Sequence, residues 1–355
     1  MVQESKQATE VIGTSLEGRS IECADALVSD NAYLSNLTVQ AAQSQEMSIV
    51  PKVAILMATY NGESFLVDQL ESFAKQRHGN WELWVSDDGS KDNTRIILDT
   101  YISKWGAAKM SLFAGPAKGF VANFLSLTCR DSVEADYYAY SDQDDIWEAD
   151  KLERAVTFLQ SVPETMPAIY CSRTRIVDFK NKELGLSPLF KRPPNFAHSL
   201  MQNIGGGNTM VFNNAARRLL RLAGEDVQVI THDWWTYLVV MACGGVVKYD
   251  PYPTVRYRQH GRNLVGSNIN LLARLVRIRM LWQGRFEKLN DQHLIALERI
   301  GVQMTGQSKV TLERFRVARS KWLVPRLVGF RKAGIHRQTV VGNIGIWLAA
   351  IFRKV

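Results

Sequence analysis

Two hydrophobic rhythms alternate along the chain from about residue 51. "KVAILMATY" (52–60) is an unbroken apolar run of strand length, the pattern of a strand covered on both faces of a parallel sheet. "SFLVDQLESFAKQ" (64–76) follows, with Phe65, Leu66, Leu70, Phe73 and Ala74 at helical spacing. The same alternation repeats: "WELWVSDDGS" (81–90) is strand into turn, "NTRIILDTYISKW" (93–105) helix, and "MSLFAG" (110–115) a short strand. "GFVANFLSLTCR" (119–130) reads as helix and "DYYAYSDQDD" (136–145) as strand. "KLERAVTFLQ" (151–160) sets Leu152, Ala155, Val156 and Leu159 on one helical face. Strands and helices alternating at this spacing predict right-handed βαβ units and a doubly wound α/β sheet.

Beyond Cys171 the rhythm loosens. Residues 173–196 read as an irregular loop, with Pro193 and Pro194 blocking regular structure. "NIGGGNTMVFN" (203–213) is a Gly-rich turn into a strand, and "NAARRLLRLAG" (214–224) an amphipathic helix. "THDWWTYLVVMACGG" (231–245) is a mostly apolar helix opening at a His-Asp pair. Residues 246–266 read as a pair of short strands ending in a polar loop, and the chain beyond Asn270 as helical.

The net charge of +8 is unevenly spread. Residues 1–47 hold two Lys/Arg against seven Asp/Glu, and residues 271–355 hold 17 against four, so the middle is neutral. Three parts are therefore expected: a polar, acidic, flexible extension (1–47), a catalytic α/β domain (48–270) and a basic helical tail (271–355). Four scattered cysteines with no CxxC pair argue against a disulfide framework or a zinc site and fit a reducing compartment. The N-terminus lacks the basic start and apolar core of a secretory signal, and the longest apolar stretch, residues 339–352, is too short to span a bilayer. The expected location is cytoplasmic.

In doubly wound sheets ligands bind at the carboxyl ends of the strands. The polar clusters fall there: "TYNGE" after the first strand, "SDDGS" after the second and "SDQDD" after the fourth. "SDDGS" alone also makes a good turn and helix cap. In "SDQDDIW", Asp142 and Asp144 lie two apart, so both side chains can leave one face of a strand end. Such a pair suits a hard divalent cation, which takes few protein carboxylates and completes its shell with water and phosphate oxygens. The competing reading is a helix start capped by Asp144 or Asp145.

The ordered set "ATYNGE", "SDDGSKDNT", "SDQDDIW", "HDWW" and "YRQHGRNLVG" resembles family 2 glycosyltransferases of the GT-A fold, over roughly residues 52–267. Within that family it is similar to the rhamnosyltransferase branch of bacterial surface polysaccharide synthesis. The resemblance implies a mixed, mostly parallel GT-A sheet and an inverting transfer of one sugar, L-rhamnose from dTDP-L-rhamnose or another sugar from a UDP donor. It implies Thr59, Tyr60 and Glu63 at the nucleoside, and Asp88 accepting from the imide N–H of a pyrimidine, as only an acceptor-only carboxylate would. Lys118, Gly119 and Asn123 of "KGFVANF" lie near the nucleotide in the family, although they also make an ordinary helix start. Asp142 and Asp144 hold the Mg²⁺ or Mn²⁺ that bridges the diphosphate, with His260 as third ligand, although a lone histidine is also often structural. Asp233 of "HDWW" is the general base, a role compatible with capping its helix. His232 would orient Asp233. Trp234 and Trp235 either floor the acceptor site or pack inside, and Gly205, Gly206 and Gly207 form an acceptor-side loop. Asp145 has three open roles: metal, donor sugar or helix cap.

The acceptor implied is a saccharide or lipid-linked saccharide. "LLARLVRIRMLWQGRFEKL" (271–289) interleaves apolar residues with arginine, as does "VPRLVGFRKAGIHRQ" (324–338), and Trp282, Trp322 and Trp347 are available as interfacial residues. Peripheral contact with the cytoplasmic leaflet of a membrane is one reading. Packing of the tail on the catalytic domain is the other. No nucleic-acid module accompanies the basic residues, so nucleic acid is not an expected partner.

Overall fold

The computed structural model describes residues 50–260 and 285–355. The acidic extension 1–47 and residues 261–284, which include Arg262, Asn263, Trp282 and most of the first Arg-rich stretch, lie outside the described residues.

Pro51–Val355 form one compact unit. Its strands are β1 (Val53–Thr59), β2 (Trp81–Asp87), β3 (Met110–Ala114), β4 (Tyr137–Ser141), β5 (Ile146–Trp147), β6 (Ala168–Val177), β7 (Glu183–Leu186), β8 (Val211–Asn213) and β9 (Val246–Arg258). They form one sheet in the order β3-β2-β1-β4-β8-β6-β9-β5, with β7 on β6. β1 is parallel to β2 and β4, and β2 to β3. β8 runs antiparallel to both β4 and β6, and β6 and β9 are parallel again. The α/β fold read from the pattern is the fold observed, mostly parallel with antiparallel insertions.

The run of β1 is apolar throughout because each face of the sheet is covered. Val53, Ile55 and Met57 share a core with Leu83, Val85 and with Leu66, Leu70 and Phe73 of α1 (Leu66–Ala74). α2 (Thr94–Trp105) and α4 (Lys151–Gln160) supply Leu98, Leu152, Ala155 and Leu159 to the same core. Ala54 and Leu56 face the other way, toward Tyr138, Tyr140 and Phe124 of α3 (Phe120–Cys129). α6 (Asn214–Ala223) and α7 (His232–Ala242) complete that face, α5 (Phe196–Ser199) being a single turn beside them. Each fully buried Leu, Val or Phe contributes ~1.5–3 kcal/mol, so register in β1 is strongly held.

Two expectations fail between β6 and β9. Residues 173–177 continue β6 rather than opening a loop, and residues 183–186 return as β7. Residues 246–258 form one long strand, not a pair. Pro251 and Pro253 lack the N–H a ladder needs, but the strand absorbs them in register shifts around Arg173, where pairing passes from Asp250 to Pro253 to Val255. Pattern alone shows the breakers and not the partner strand that tolerates them.

The C-terminal helices are α8 (Arg285–Glu298), α9 (Gly306–Ser320), α10 (Leu323–Lys332) and α11 (Val340–Ile351). Leu294, Leu297, Phe315, Phe330, Ile346 and Ala349 join the core that contains Trp235 and Leu238 of α7. No helix among the described residues is long and apolar enough to cross a membrane.

Candidate active site

The loops after β1, β2 and β4 meet at one edge of the sheet and are pinned to one another. Asp87, 1% exposed, accepts from the Thr59 hydroxyl at 2.9 Å and from the Ser90 N–H at 3.1 Å. The predicted Thr59 therefore spends its hydroxyl on the neighbouring strand. The Asn61 N–H donates to Ser90 Oγ at 2.9 Å and the Gly62 N–H to Thr94 Oγ1 at 2.7 Å. Glu63 Oε2 accepts from both the N–H (3.0 Å) and the side-chain amide (2.9 Å) of Asn93, the residue preceding α2. Tyr60 is 55% exposed beside them.

Asp88 is half-buried and accepts from the Ala117 N–H at 2.6 Å and the Gly119 N–H at 2.9 Å. Gly119 has φ of +89°, which turns its N–H toward the carboxylate at a conformation that glycine adopts without strain. Lys118 is exposed. Asn123 is 1% exposed and donates to the Ser86 carbonyl at 2.9 Å, tying α3 to β2, while its Oδ1 has no protein partner.

The β4 loop has a layered arrangement. Asp144 Oδ2 lies 2.8 Å from His260 Nε2, and the His260 ring stacks on Phe65 at 4.9 Å. Asp142 is half-buried beside them; burial, with the negative Asp144 and Asp233, pushes its carboxyl up to about 7, against a smaller pull from Lys151. Asp145 is wholly buried and accepts from the Asn208 side-chain amide and from the Arg258 N–H. It faces neither solvent nor a helix start, since the residue preceding α4 is Asp150. Lys151, also fully buried, donates to the Asn208 carbonyl at 2.8 Å and lies over the Trp147 ring. Burial drives the Asp145 carboxyl well above and the Lys151 ammonium well below their ordinary ranges, opposed in Lys151 by Asp145 and Asp142.

Arg258 does not reach toward the open edge. It is 2% exposed, with Nε on the Asp144 carbonyl (3.1 Å), Nη1 on the Phe179 carbonyl (2.9 Å) and Nη2 on Asp68 (2.8 Å). It supports the backbone of the acidic loop from behind.

Asp233 sits in the first turn of α7, which Thr231 caps. An acidic side chain is favoured there by the helix dipole. Its Oδ2 accepts from the Gly207 N–H at 2.9 Å and its Oδ1 from the Trp234 N–H at 2.7 Å. A Cβ on Gly207 would stand 2.5 Å from His232 Nε2, so only glycine lets this backbone approach. His232 is 4% exposed and stacks on Phe124 at 3.8 Å; burial lowers its pKa to about 4, so the ring is neutral. Neither of its nitrogens has a protein partner, and it packs rather than orients Asp233. Trp235 is wholly buried, which removes it from any acceptor floor, while Trp234 is half-buried with Nε1 donating to the Ser199 carbonyl at 2.7 Å.

Asp142, Asp144, His260 and Asp233 thus gather at one edge, with Asp88 and Glu63 anchoring the loops beside them. Two carboxylates and an imidazole could serve a divalent cation such as Mg²⁺ or Mn²⁺, and burial, with the neighbouring Asp144 and Asp233, raises the pKa of Asp142. Among the described residues no three His, Cys, Asp or Glu side chains form a ready cage. A cation here would complete its shell with water and phosphate oxygens. Gln143, Asn208, Lys151 and Phe65 were missed in the sequence. β4 ends at Ser141 rather than running to Asp145 as the pattern suggested, so Gln143 lies in a bend where strand alternation no longer applies, and the pattern held no signal for it.

Residues 54–220 match the family described as "Glycosyl transferase family 2". Residues 54–220 are thus a family 2 glycosyltransferase domain, and the protein is a glycosyltransferase. It is similar to the dTDP-rhamnosyl transferase RfbG of Shigella flexneri, 28% identical over 235 residues that span 62% of this chain and 78% of the relative. A 108-residue stretch is 34% identical to the UDP-Glc:alpha-D-GlcNAc-diphosphoundecaprenol beta-1,3-glucosyltransferase WfgD of Escherichia coli, over 30% of this chain and 40% of that one. Among solved structures, residues 1–349 of S. aureus TarS in complex with UDP-GlcNAc align at a TM-score of 0.47 and 14% identity, over 79% of this chain and 90% of that one.

Proposed function

We propose that this enzyme is an inverting, metal-dependent transferase that moves one sugar, L-rhamnose from dTDP-L-rhamnose, to a saccharide or lipid-linked saccharide in surface polysaccharide assembly. The observation that carries this reading is that two adjacent residues join the acidic loop to α7: the Gly207 N–H donates to Asp233 and the Asn208 side-chain amide donates to Asp145. A base on α7 and a diphosphate-facing acidic loop stand together there.

Asp233 takes the proton of the acceptor hydroxyl as that oxygen attacks the anomeric carbon from the face opposite the leaving nucleoside diphosphate. Such a base contributes ~10²–10⁴-fold. Its hydrogen bonds to Gly207 and Trp234 hold the carboxylate in position. Asp142, Asp144 and His260 would hold the divalent cation, which when bound neutralises charge on the departing diphosphate. Asp88 uses two of its roughly four acceptor positions on the Ala117 and Gly119 N–H groups, leaving others for the imide N–H of a pyrimidine. Thr59, Tyr60, Glu63, Lys118, Gly119 and Asn123 shape the nucleoside side. The rhamnosyl donor is supported by the similarity to the Shigella dTDP-rhamnosyl transferase, and a UDP-sugar donor by that to the Escherichia glucosyltransferase. The basic helices are assigned to peripheral membrane contact.

Transfer from labelled dTDP-L-rhamnose and from UDP-sugars, each with Mg²⁺ or Mn²⁺, separates the two donors. Loss of transfer in Asp233→Asn and in Asp144→Ala is expected, and undiminished transfer by either variant removes its assigned role.

A further inference from the structure

The C-terminal helices carry a feature remote from the transfer chemistry. A cavity of about 400 Å³ is lined by Glu287, Arg316, Arg319, Arg326, Arg353 and Val355. Two of its arginines are matched: Arg316 pairs with Glu298 at 3.0 Å and Arg319 with Asp291 at 2.7 Å. Arg326 is not. It is 2% exposed and, among the described residues, donates only to the carbonyls of Ala350 and Lys321, with no partner there for its Nε. Burial and the nearby positive Arg353 both press its pKa down. A desolvated guanidinium without a counter-charge is costly, and its planar fork matches phosphate oxygens.

A second observation concerns the rim. Trp322 is 62% exposed, and Leu323, Val324, Leu348 and Ile351 are between 41% and 54% exposed. These are the start of α10 and the end of α11, the two points that Arg326 ties together through Lys321 and Ala350. Large apolar side chains left in water near a cavity whose Arg326 has no carboxylate partner among the described residues match a surface that is apolar below and anionic above. No described helix is able to span a bilayer, so the contact is interfacial.

We infer that this cavity takes the phosphate of an anionic lipid headgroup at a bilayer surface, while Trp322, Leu323 and Ile351 enter the boundary of the acyl chains. Arg326 and Arg353 supply the positive charge, and Glu287 at the rim limits it. The inference deepens the membrane contact proposed above and rests on it, but it is independent of the donor sugar.

Co-sedimentation of the full chain with phosphatidylglycerol-containing vesicles and with pure phosphatidylcholine vesicles tests this, alongside transfer to a water-soluble acceptor. The expected result is binding to the anionic vesicles only, weakened about fivefold or more by Arg353→Glu, since each basic residue near an anionic surface contributes about that factor. Trp322→Ser should weaken it similarly, and both exposed variants should keep wild-type circular dichroism and soluble-acceptor turnover. Equal binding to both vesicle types, or anionic binding untouched by Arg353→Glu, overturns the inference. So does a thermal shift with inorganic phosphate or pyrophosphate without any vesicle binding, which would make the cavity a free-anion site. Dimerisation abolished by Trp322→Ser, again without vesicle binding, would reassign the apolar rim to a second copy of the chain. Loss of soluble transfer in the wild type would count against the transferase reading alone.

Discussion

The side-chain amide of Gln143 grips the backbone of Tyr60 at two points: the Tyr60 N–H donates to Oε1 at 2.8 Å, and Nε2 donates to the Tyr60 carbonyl at 2.9 Å. This ties the loop after β1 to the acidic loop after β4. A Cβ on Gly62 would stand 2.3 Å from Gln143 Oε1. Gly62→Ala and Gln143→Ala should therefore disturb the same lock. Each is expected to lower kcat/KM by up to ~10²-fold, the cost of a misplacement of about 1 Å. The double variant should lose clearly less than the product of the two, in a kinetic double-mutant cycle.

Asp233→Asn keeps one acceptor oxygen, enough for either the Gly207 or the Trp234 N–H but not both, and no longer takes a proton. Turnover is expected to fall ~10²–10⁴-fold with the melting temperature near wild type. A parallel loss of stability would mean that the carboxylate serves mainly to cap α7.

Lys151→Met tests the buried layer under the acidic loop. It removes the buried amine that pairs with the Asn208 carbonyl and opposes the charge of Asp145 and Asp142, and leaving a buried acceptor without its donor costs ~1–3 kcal/mol. Adding Asp145→Asn should recover part of that loss in urea denaturation. If Lys151→Met alone is harmless, the pair contributes nothing to the fold.

The carboxyl of Asp142 has a folded-state pKa of about 7 against an ordinary value of 3.8. The folded protein therefore binds this proton more tightly than the unfolded chain. In metal-free protein its contribution is fully present below pH 3.8 and is lost as pH rises through 7, with a slope of up to ~1.4 kcal/mol per pH unit between. His232 acts oppositely: its pKa of about 4 lies below the usual 6.5, so stability drains as pH falls from 6.5 toward 4. Thermal melts in chelator, comparing wild type with Asp142→Asn, isolate the first effect because the histidine is common to both. The variant should be relatively more stable at pH 8.5 and lose that advantage at pH 5. Metal binding at neutral pH should also release protons in the wild type, measurable by calorimetry in two buffers.

What the sequence determined by itself was the set of elements whose signal is local. The apolar run of β1 and the helical faces of α1 and α4 announce themselves because burial on a face repeats with the backbone period. The polar clusters at the ends of β1, β2 and β4 were legible for the same reason: a parallel strand must end before its loop bears chemistry. Which of three adjacent aspartates does what was not legible. Asp144 meets His260, Asp142 shares the field of Asp233, and Asp145 is buried against Asn208 and Arg258, a division set by groups 63 to 116 residues away along the chain. His232 read as orienting Asp233, and Trp235 as either acceptor floor or core; the packing of α7 against Phe124 and the core put both inside. The path of β9 through two prolines was decided by β6, whose register shifts admit them. Periodicity is a property of one segment, whereas desolvation, hydrogen-bond partners and charge coupling belong to pairs of segments, and only the tertiary structure brings those pairs together.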